Sequence, residues 1–231
     1  MKSHELAVAI AEAIDAKAFP DGKLPTENQL MQQYGVTRYC VRKAIAELVT
    51  QGRVYSVRGG GMYVHERFRE GYVSVNVSGL SASFAPGDMT SRVLSIGLRD
   101  AGDEVAKRLK CDPGDRVYEL LRLRSLKGEP MLLEHAFFLQ SVVKYLDEHI
   151  AAGSIFKYLK ESQDVAVRFV DKSFRADALP EGVARAMGLT PGEPTLVVED
   201  EVYSMGGVVF DVSRSYYNYR LGKFFSMYDV S

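Results

Sequence analysis

The stretch that decides the fold runs from Leu24 to Val64, LPTENQLMQQYGVTRYCVRKAIAELVTQGRVYSVRGGGMYV. Two short helical patterns flank a turn containing Gly35, and a glycine-punctuated hairpin follows. Thr26 opens the first pattern with Glu27 in its first turn; Leu30 and Met31 face inward, and Gly35 breaks it. Thr37 is the expected N-cap of the next helix, because its short oxygen-bearing side chain can accept from an otherwise orphan amide. In that helix Val41, Ala44, Ile45 and Leu48 recur at i, i+3, i+4 and i+7, a buried stripe. Arg38 and Arg42, four apart, lie one above the other on a neighbouring face, which Tyr39 and Lys43 extend outward. Arg53 to Ser56 and Met62 to Val64 read as strands joined through Val57-Arg58-Gly59-Gly60-Gly61. Glycines there permit positive φ and close approach to another molecule. The pattern is a winged helix-turn-helix, which lays one helix in the DNA major groove.

Upstream, Leu6, Ala9, Ile10, Ala13 and Ile14 repeat at helical spacing, and that helix is expected to end near Phe19, before a turn at Pro20-Asp21-Gly22. Residues 1–66 therefore form one small domain. An arginine at the start of the exposed helix can bond guanine bidentately and specify sequence. Arg58 at the wing tip suits a phosphate or the minor groove.

Composition bounds the partner. The 231 residues carry a net charge of −1, so bulk charge does not make the chain a polyanion binder, and any nucleic-acid surface is local. From Thr37 to Arg67 the bases are Arg38, Arg42, Lys43, Arg53, Arg58 and Arg67, against Glu47 and Glu66. Cys40 and Cys111 have no metal-ligand spacing and read as reduced thiols of a cytoplasmic protein; no metal and no cofactor is expected. The start carries acids inside its apolar pattern and is not a signal peptide, and no stretch approaches membrane-spanning length.

Residues 67–80 read as a linker, with room for a short strand. From 81 to 231 strands alternate with short helices: a helix at 104–110, strands at 116–126 and 131–139, helices at 141–149 and 154–162, a strand at 166–175, a helix at 180–188, and strands at 194–204 and 207–219. Long strands joined by hairpins and flanked by helices predict an α+β domain with a mostly antiparallel sheet. Within the first long strand the two-residue period puts Tyr118, Leu120, Arg122, Arg124 and Leu126 on one face. Two guanidiniums among leucines are costly to bury without anionic partners. Glu134 on the returning strand or a bound anion could supply that charge, and a solvated cross-strand ion pair is the plainer alternative. A two-residue turn would put Glu134 on the opposite face from Arg124; a three-residue turn would put them together.

The motifs LPTE, GVTR, VRKAI, Gly52 and GGGMYV resemble the DNA-binding domain of the GntR family of bacterial transcription regulators, whose pattern is L-P-S-E-R, then G-V-S-R-x-T-V-R, then G-x-G-T-F-V. The resemblance implies that Arg38 and Arg42 contact DNA, that Tyr39 and Cys40 between them face it, and that Gly59 is the wing-tip glycine. The DNA-facing set is Thr26, Asn28, Thr37, Arg38, Tyr39, Cys40, Arg42, Arg58, Gly59 and Gly61. Asn28 stands where the family has arginine, and Cys40 where it has threonine, so operator preference is expected to differ from that of typical members.

RVYELLRLRSLKGEPMLLEHAFF resembles the core of the UTRA domain, the effector-sensing module of the HutC subfamily, with a fold similar to chorismate lyase. Its R-x-R, G-x-P and following E match Arg122, Arg124, Gly128, Pro130 and Glu134. The resemblance implies an effector site of Arg122, Arg124 and Glu134 with Ser154, Tyr217, and the phosphate-loop pair Ser91 and Arg92. Phe156 replaces the usual tyrosine of S-I-Y, and Tyr217-Asn218-Tyr219-Arg220-Leu221 replaces the late G-D-R motif. The chain is thus expected to be a homodimeric, ligand-responsive regulator of double-stranded operator DNA. Repressor is the family default, and the effector is a polar or anionic metabolite such as a phosphorylated sugar or an organic acid. The alternatives are a DNA-tethered enzyme of the chorismate-lyase-like fold and a purely architectural DNA binder. Glu134 and His135 could make an acid/base pair, but neighbours on a strand point to opposite faces.

Overall fold

The computed structural model describes residues 1–65, 72–75, 80, 84 and 87–226. Glu66, Arg67 and most of the expected linker lie outside the described residues. The chain forms two units, Met1–Ala85 together with Lys223–Ser231, and Pro86–Gly222. The sequence reading ran the second domain to residue 231; Lys223–Ser226 instead pack with the first unit.

In the first unit helices α1 (Ser3–Asp15), α2 (Glu27–Tyr34) and α3 (Arg38–Thr50) are followed by strands β1 (Val54–Val57) and β2 (Gly61–Val64). α1 stops at Asp15 rather than near Phe19, because Lys17 takes a left-handed φ of 57° and the Ala18 amide turns back to the Ala13 carbonyl. Thr26 caps α2 and Gly35 ends it with a φ of 61°, a conformation that favours glycine. Leu6, Ile10 and Ile14 of α1, Leu30 of α2, and Val41, Ala44 and Leu48 of α3 bury together with Val54. Each large aliphatic side chain so buried contributes about 1.5–3 kcal/mol. Ile45, the remaining member of the α3 stripe, is half-buried. β1 and β2 pair antiparallel from Val54↔Val64 to Val57↔Gly61.

The second unit is a six-stranded antiparallel sheet with helices. Its elements are β4 (Met89–Asp100), α4 (Gly102–Leu109), β5 (Arg116–Leu126), β6 (Glu129–Leu139), α5 (Glu148–Ala152), α6 (Ile155–Ser162), β7 (Val167–Ala178), α7 (Glu181–Met187), β8 (Pro194–Ser204) and β9 (Val209–Asn218), with strand order β4-β5-β6-β9-β8-β7. A strand at Val73–Ser74, β3, precedes them. The edge strand β4 is absent from the sequence reading; its half-exposed residues give no sustained apolar alternation. The helix expected at 141–149 is only α5, because Asp147 accepts from the Ile150 amide at 2.8 Å and so starts the helix late.

The β5–β6 hairpin resolves the open register. Lys127 (φ 51°) and Gly128 (φ 88°) form a two-residue turn that pairs Leu126 with Glu129 and Ser125 with Pro130. Left alone, that turn would send Glu134 to the far face. A bulge then leaves Met131 unpaired, so Arg124 meets Leu132 and Arg122 meets Glu134. One extra residue flips every later side chain.

Candidate functional site

The first constellation lies on the head. Thr37 accepts from the Cys40 amide at 3.3 Å and sets the start of α3. Arg38, Tyr39, Arg42 and Lys43 are exposed, Tyr39 at 74%. An aromatic ring left so far in water has nothing of its own head to pack on. The first turn of α2 holds the two arginines: Arg42 Nε donates to both Glu27 oxygens at 3.0 and 3.2 Å, and Arg38 Nη2 donates to Asn28 Oδ1 at 2.8 Å. Arg38 Nε also lies 3.8 Å from Glu27. Exposed pairs of this kind are worth at most about 1 kcal/mol, so they orient the guanidiniums without preventing their transfer to phosphate. The sequence reading placed Glu27 in the first turn of α2 but gave it no part in the site. Thr26 spends its hydroxyl on the α2 capping box with Gln29.

Arg53 requires a correction. It contributed to the local basic excess in the sequence, yet it is 4% exposed and bonds Asp15 at 2.9 Å. It ties α1 to the start of the wing and takes no part in the charged face. On the wing, Arg58 is exposed and Gly59 and Gly61 have φ of 75° and 106°. A Cβ at Gly61 would meet Lys23 Cε at 3.3 Å. Lys23 also lies over the Tyr63 ring at 5.7 Å, a cation beside the wing that the sequence reading passed over.

The second constellation lies across one face of the sheet. The register aligns Ser91, Arg124, Leu132 and Tyr217 in one row, and Arg122, Glu134 and Ser215 in the next. Arg92 pairs with Leu123 and so points to the other face, away from Ser91. Arg122 is largely committed. Its Nε donates to Glu134 Oε2 at 2.5 Å, and its Nη1 donates to the carbonyls of Ala151 at 2.8 Å and Gly153 at 3.4 Å. Those carbonyls close α5 immediately before exposed Ser154, the N-cap residue of α6. Burial pushes the Glu134 carboxyl up, but Arg122 and then Arg124 outweigh it and hold the carboxyl below its usual range. Arg124 is buried, and burial, with the charge of Arg122, brings its pKa down to about 10.

Further along the same face of β9 stands Asp211, which the sequence reading missed. It is 4% exposed, and its Oδ1 has no hydrogen-bond partner among the described residues. Burial, then the charges of Glu134 and Asp200, drive its carboxyl well above the usual range. Asp200 bonds Lys172 at 2.6 and 2.7 Å across β7 and β8. The alternation Asp211-x-Ser213-x-Ser215-x-Tyr217 along one face of the strand was the available signal. His135 faces the other side, with Nε2 2.7 Å from Glu119 Oε1, so it does not act with Glu134. Among the described residues no group of three His, Cys, Asp or Glu side chains could hold a metal ion, and no helix is long and apolar enough to cross a membrane.

A winged head presenting arginines, joined to a sheet domain with buried guanidiniums, defines a DNA-binding regulator with a ligand-sensing module. The chain belongs to the bacterial regulatory proteins of the gntR family: residues 2–64 match that family and residues 86–220 match the UTRA domain. It is 29% identical to the uncharacterized HTH-type transcriptional regulator YydK of Bacillus subtilis (strain 168), covering 97% of this chain and 96% of that protein. The crystal structure of YydK, at 28% identity, superposes with a TM-score of 0.79 over 99% of this chain and 100% of that one. The HTH-type transcriptional repressor NagR of Bacillus subtilis (strain 168) is 26% identical over 86% of this chain and 82% of its own length. The mannosyl-D-glycerate transport/metabolism system repressor MngR of Escherichia coli (strain K12) is 27% identical over 86% and 83%. The relatives are transcriptional regulators, not enzymes, and the enzyme alternative has no support among them.

Proposed function

We propose that this regulator is a cytoplasmic repressor of the HutC type that binds a two-fold-related operator as a homodimer and is released by a small anionic metabolite. The observation that carries the DNA half is the exposed face of α3, where Arg38, Tyr39 and Arg42 stand free of the core and two arginines are steered by α2. Arg58, Gly59 and Gly61 extend that surface along the wing. Thr26, Asn28, Thr37 and Cys40 shape its edge: two hydroxyls as caps, Asn28 as the acceptor that aims Arg38. A helix-turn-helix dimer needs its two recognition helices about 34–36 Å apart, so a ligand that alters head geometry abolishes binding. NagR and MngR, both named repressors, support the sign of the regulation.

In the effector half, Arg124 takes the anion. It is buried on the sheet face in one row with Ser91 and Tyr217, beside the row of Arg122 and Glu134. A planar guanidinium bonds a carboxylate or phosphate bidentately, which suits a phosphorylated sugar or an organic acid. Glu134 accepts from ligand hydroxyls or an amine, and Ser154 completes the rim; Arg92, on the other face of the sheet, takes no part.

A duplex selected from a random pool by the wild-type protein supplies the probe. Arg38→Ala and Arg42→Ala should each weaken binding, by about 1–3 kcal/mol for a base contact or with a shallower salt slope for a phosphate contact. Thermal-shift screening of phosphorylated sugars and organic acids supplies the ligand, and Arg124→Ala should then bind the duplex but ignore that compound. Wild-type affinity in both head variants, or light scattering that shows a monomer with full affinity, overturns the reading.

A further inference from the structure

After Asn218 the chain leaves β9 through a turn in which the Leu221 and Gly222 amides return to the Asn218 carbonyl at 3.0 and 2.8 Å. It then leaves the second unit and forms a short strand, β10 (Phe224–Phe225), on the first. β10 runs parallel to β3, with Phe224 beside Val73 and Phe225 beside Ser74. The Val73 amide donates to the Lys223 carbonyl at 2.7 Å, and the Val75 amide donates to the Phe225 carbonyl at 3.0 Å. Parallel strands need a crossover connection, and here the crossover is the entire effector domain.

Two paired strands are marginal in water by themselves; this pair is seated on the head. Val73, Ser74 and Phe225 are all buried. The Phe225 ring centroid lies 4.8 Å from that of His65, which lies 5.8 Å from Tyr55 of the wing. Gly52, just beyond α3, has a φ of 69°, and a Cβ there would meet Ser74 Oγ at 3.0 Å and Phe225 Cζ at 3.5 Å. The tail therefore reaches the junction between the recognition helix and the wing. Only residues 218–222 separate it from Tyr217.

We infer that the C-terminal segment Lys223–Ser226 is a second tether on the DNA-binding head, docked beside Gly52 and His65, and that it passes a change at Tyr217 to the recognition helix and the wing. With the linker as the only connection, each head would be held at one point. With the tail docked it is held at two, and a pull on the end of β9 bears directly on the joint that aims α3 and the wing. This inference rests on the dimeric-operator reading above, because a tether that sets head position shows itself in the separation of two half-sites.

The test selects duplexes from a random pool with the full-length protein and with two full-length variants. Phe225→Ala removes the plug. Val75→Pro removes one strand hydrogen bond and leaves Phe225 in place. Hydrogen exchange at the Val73 amide should quicken about tenfold or more in either variant, while the β5 and β6 amides keep their protection. The wild type should select two half-sites at one spacing; both variants should keep the half-site sequence but accept several spacings, and Phe225→Leu should restore the single spacing. If Phe225→Ala does not fold, Val75→Pro decides alone. Unchanged exchange in the variants, or quickened exchange with the same single spacing, overturns the tether. A wild type that selects a lone half-site overturns the dimeric-operator reading instead, and the tether inference falls with it.

Discussion

Replacing Arg122 with methionine separates a structural arginine from a ligand-binding one. Arg122 is 6% exposed, and its guanidinium serves three acceptors, Glu134 at 2.5 Å and the carbonyls of Ala151 and Gly153 at 2.8 and 3.4 Å. Methionine matches much of the stem and none of the donors. Removing one partner of a buried ion pair costs about 3–5 kcal/mol, chiefly because the other charge remains without compensation. Each hydrogen bond from a charged donor to a carbonyl is worth about 1.5–3 kcal/mol, but the three share one side chain and do not add. The expected loss is therefore about 4–5 kcal/mol, and a domain of this size loses about 3–4 °C in Tm per kcal/mol, which gives roughly 12–20 °C. Urea and thermal unfolding followed by far-UV circular dichroism measure it; the chain has no tryptophan to report. Glu134→Leu added to Arg122→Met should recover most of the loss, since an apolar pair replaces a buried ion pair at little net cost. The double-mutant cycle should give a coupling of about 2 kcal/mol or more. A single-variant loss below about 1 kcal/mol, with no measurable coupling, would refute the assignment and return Arg122 to the ligand.

Two further outcomes follow from named groups. Glu27→Gln removes the carboxylate that holds Arg42 and lies beside Arg38, so duplex affinity at low salt should rise by about two- to fivefold, the scale of an exposed pair, and the gain should shrink as salt is added; unchanged or weaker binding would mean that Glu27 acts mainly by preorganising the arginines. Asp211→Asn tests the buried acid: its folded pKa lies well above the unfolded value, so its contribution is fully present below about pH 3.9 and is lost as pH rises through the folded pKa. The variant should therefore gain on the wild type in urea midpoint as pH rises, with the two curves converging near pH 4, and parallel curves would sink this account.

The head was legible from sequence because its information is local. The Thr26 and Thr37 caps, the Gly35 stop and the stripe of Val41, Ala44 and Leu48 each depend on residues within a few positions, and the same spacing leaves Arg38 and Arg42 facing outward. Period two likewise sufficed to place Arg122 and Arg124 on one face. The rest depends on contacts between residues far apart in the chain. The unpaired Met131 decides that Glu134 meets Arg122, and a bulge of one residue carries no mark in composition. Cross-strand pairing separates Ser91 from Arg92, although a resemblance had joined them in one loop. Asp15 withdraws Arg53 from the basic face, and Glu27 with Asn28 steers the arginines of another helix. The pairing of Phe224–Phe225 with Val73–Ser74 brings together strands separated by a whole domain, and no periodicity within either segment could have announced it.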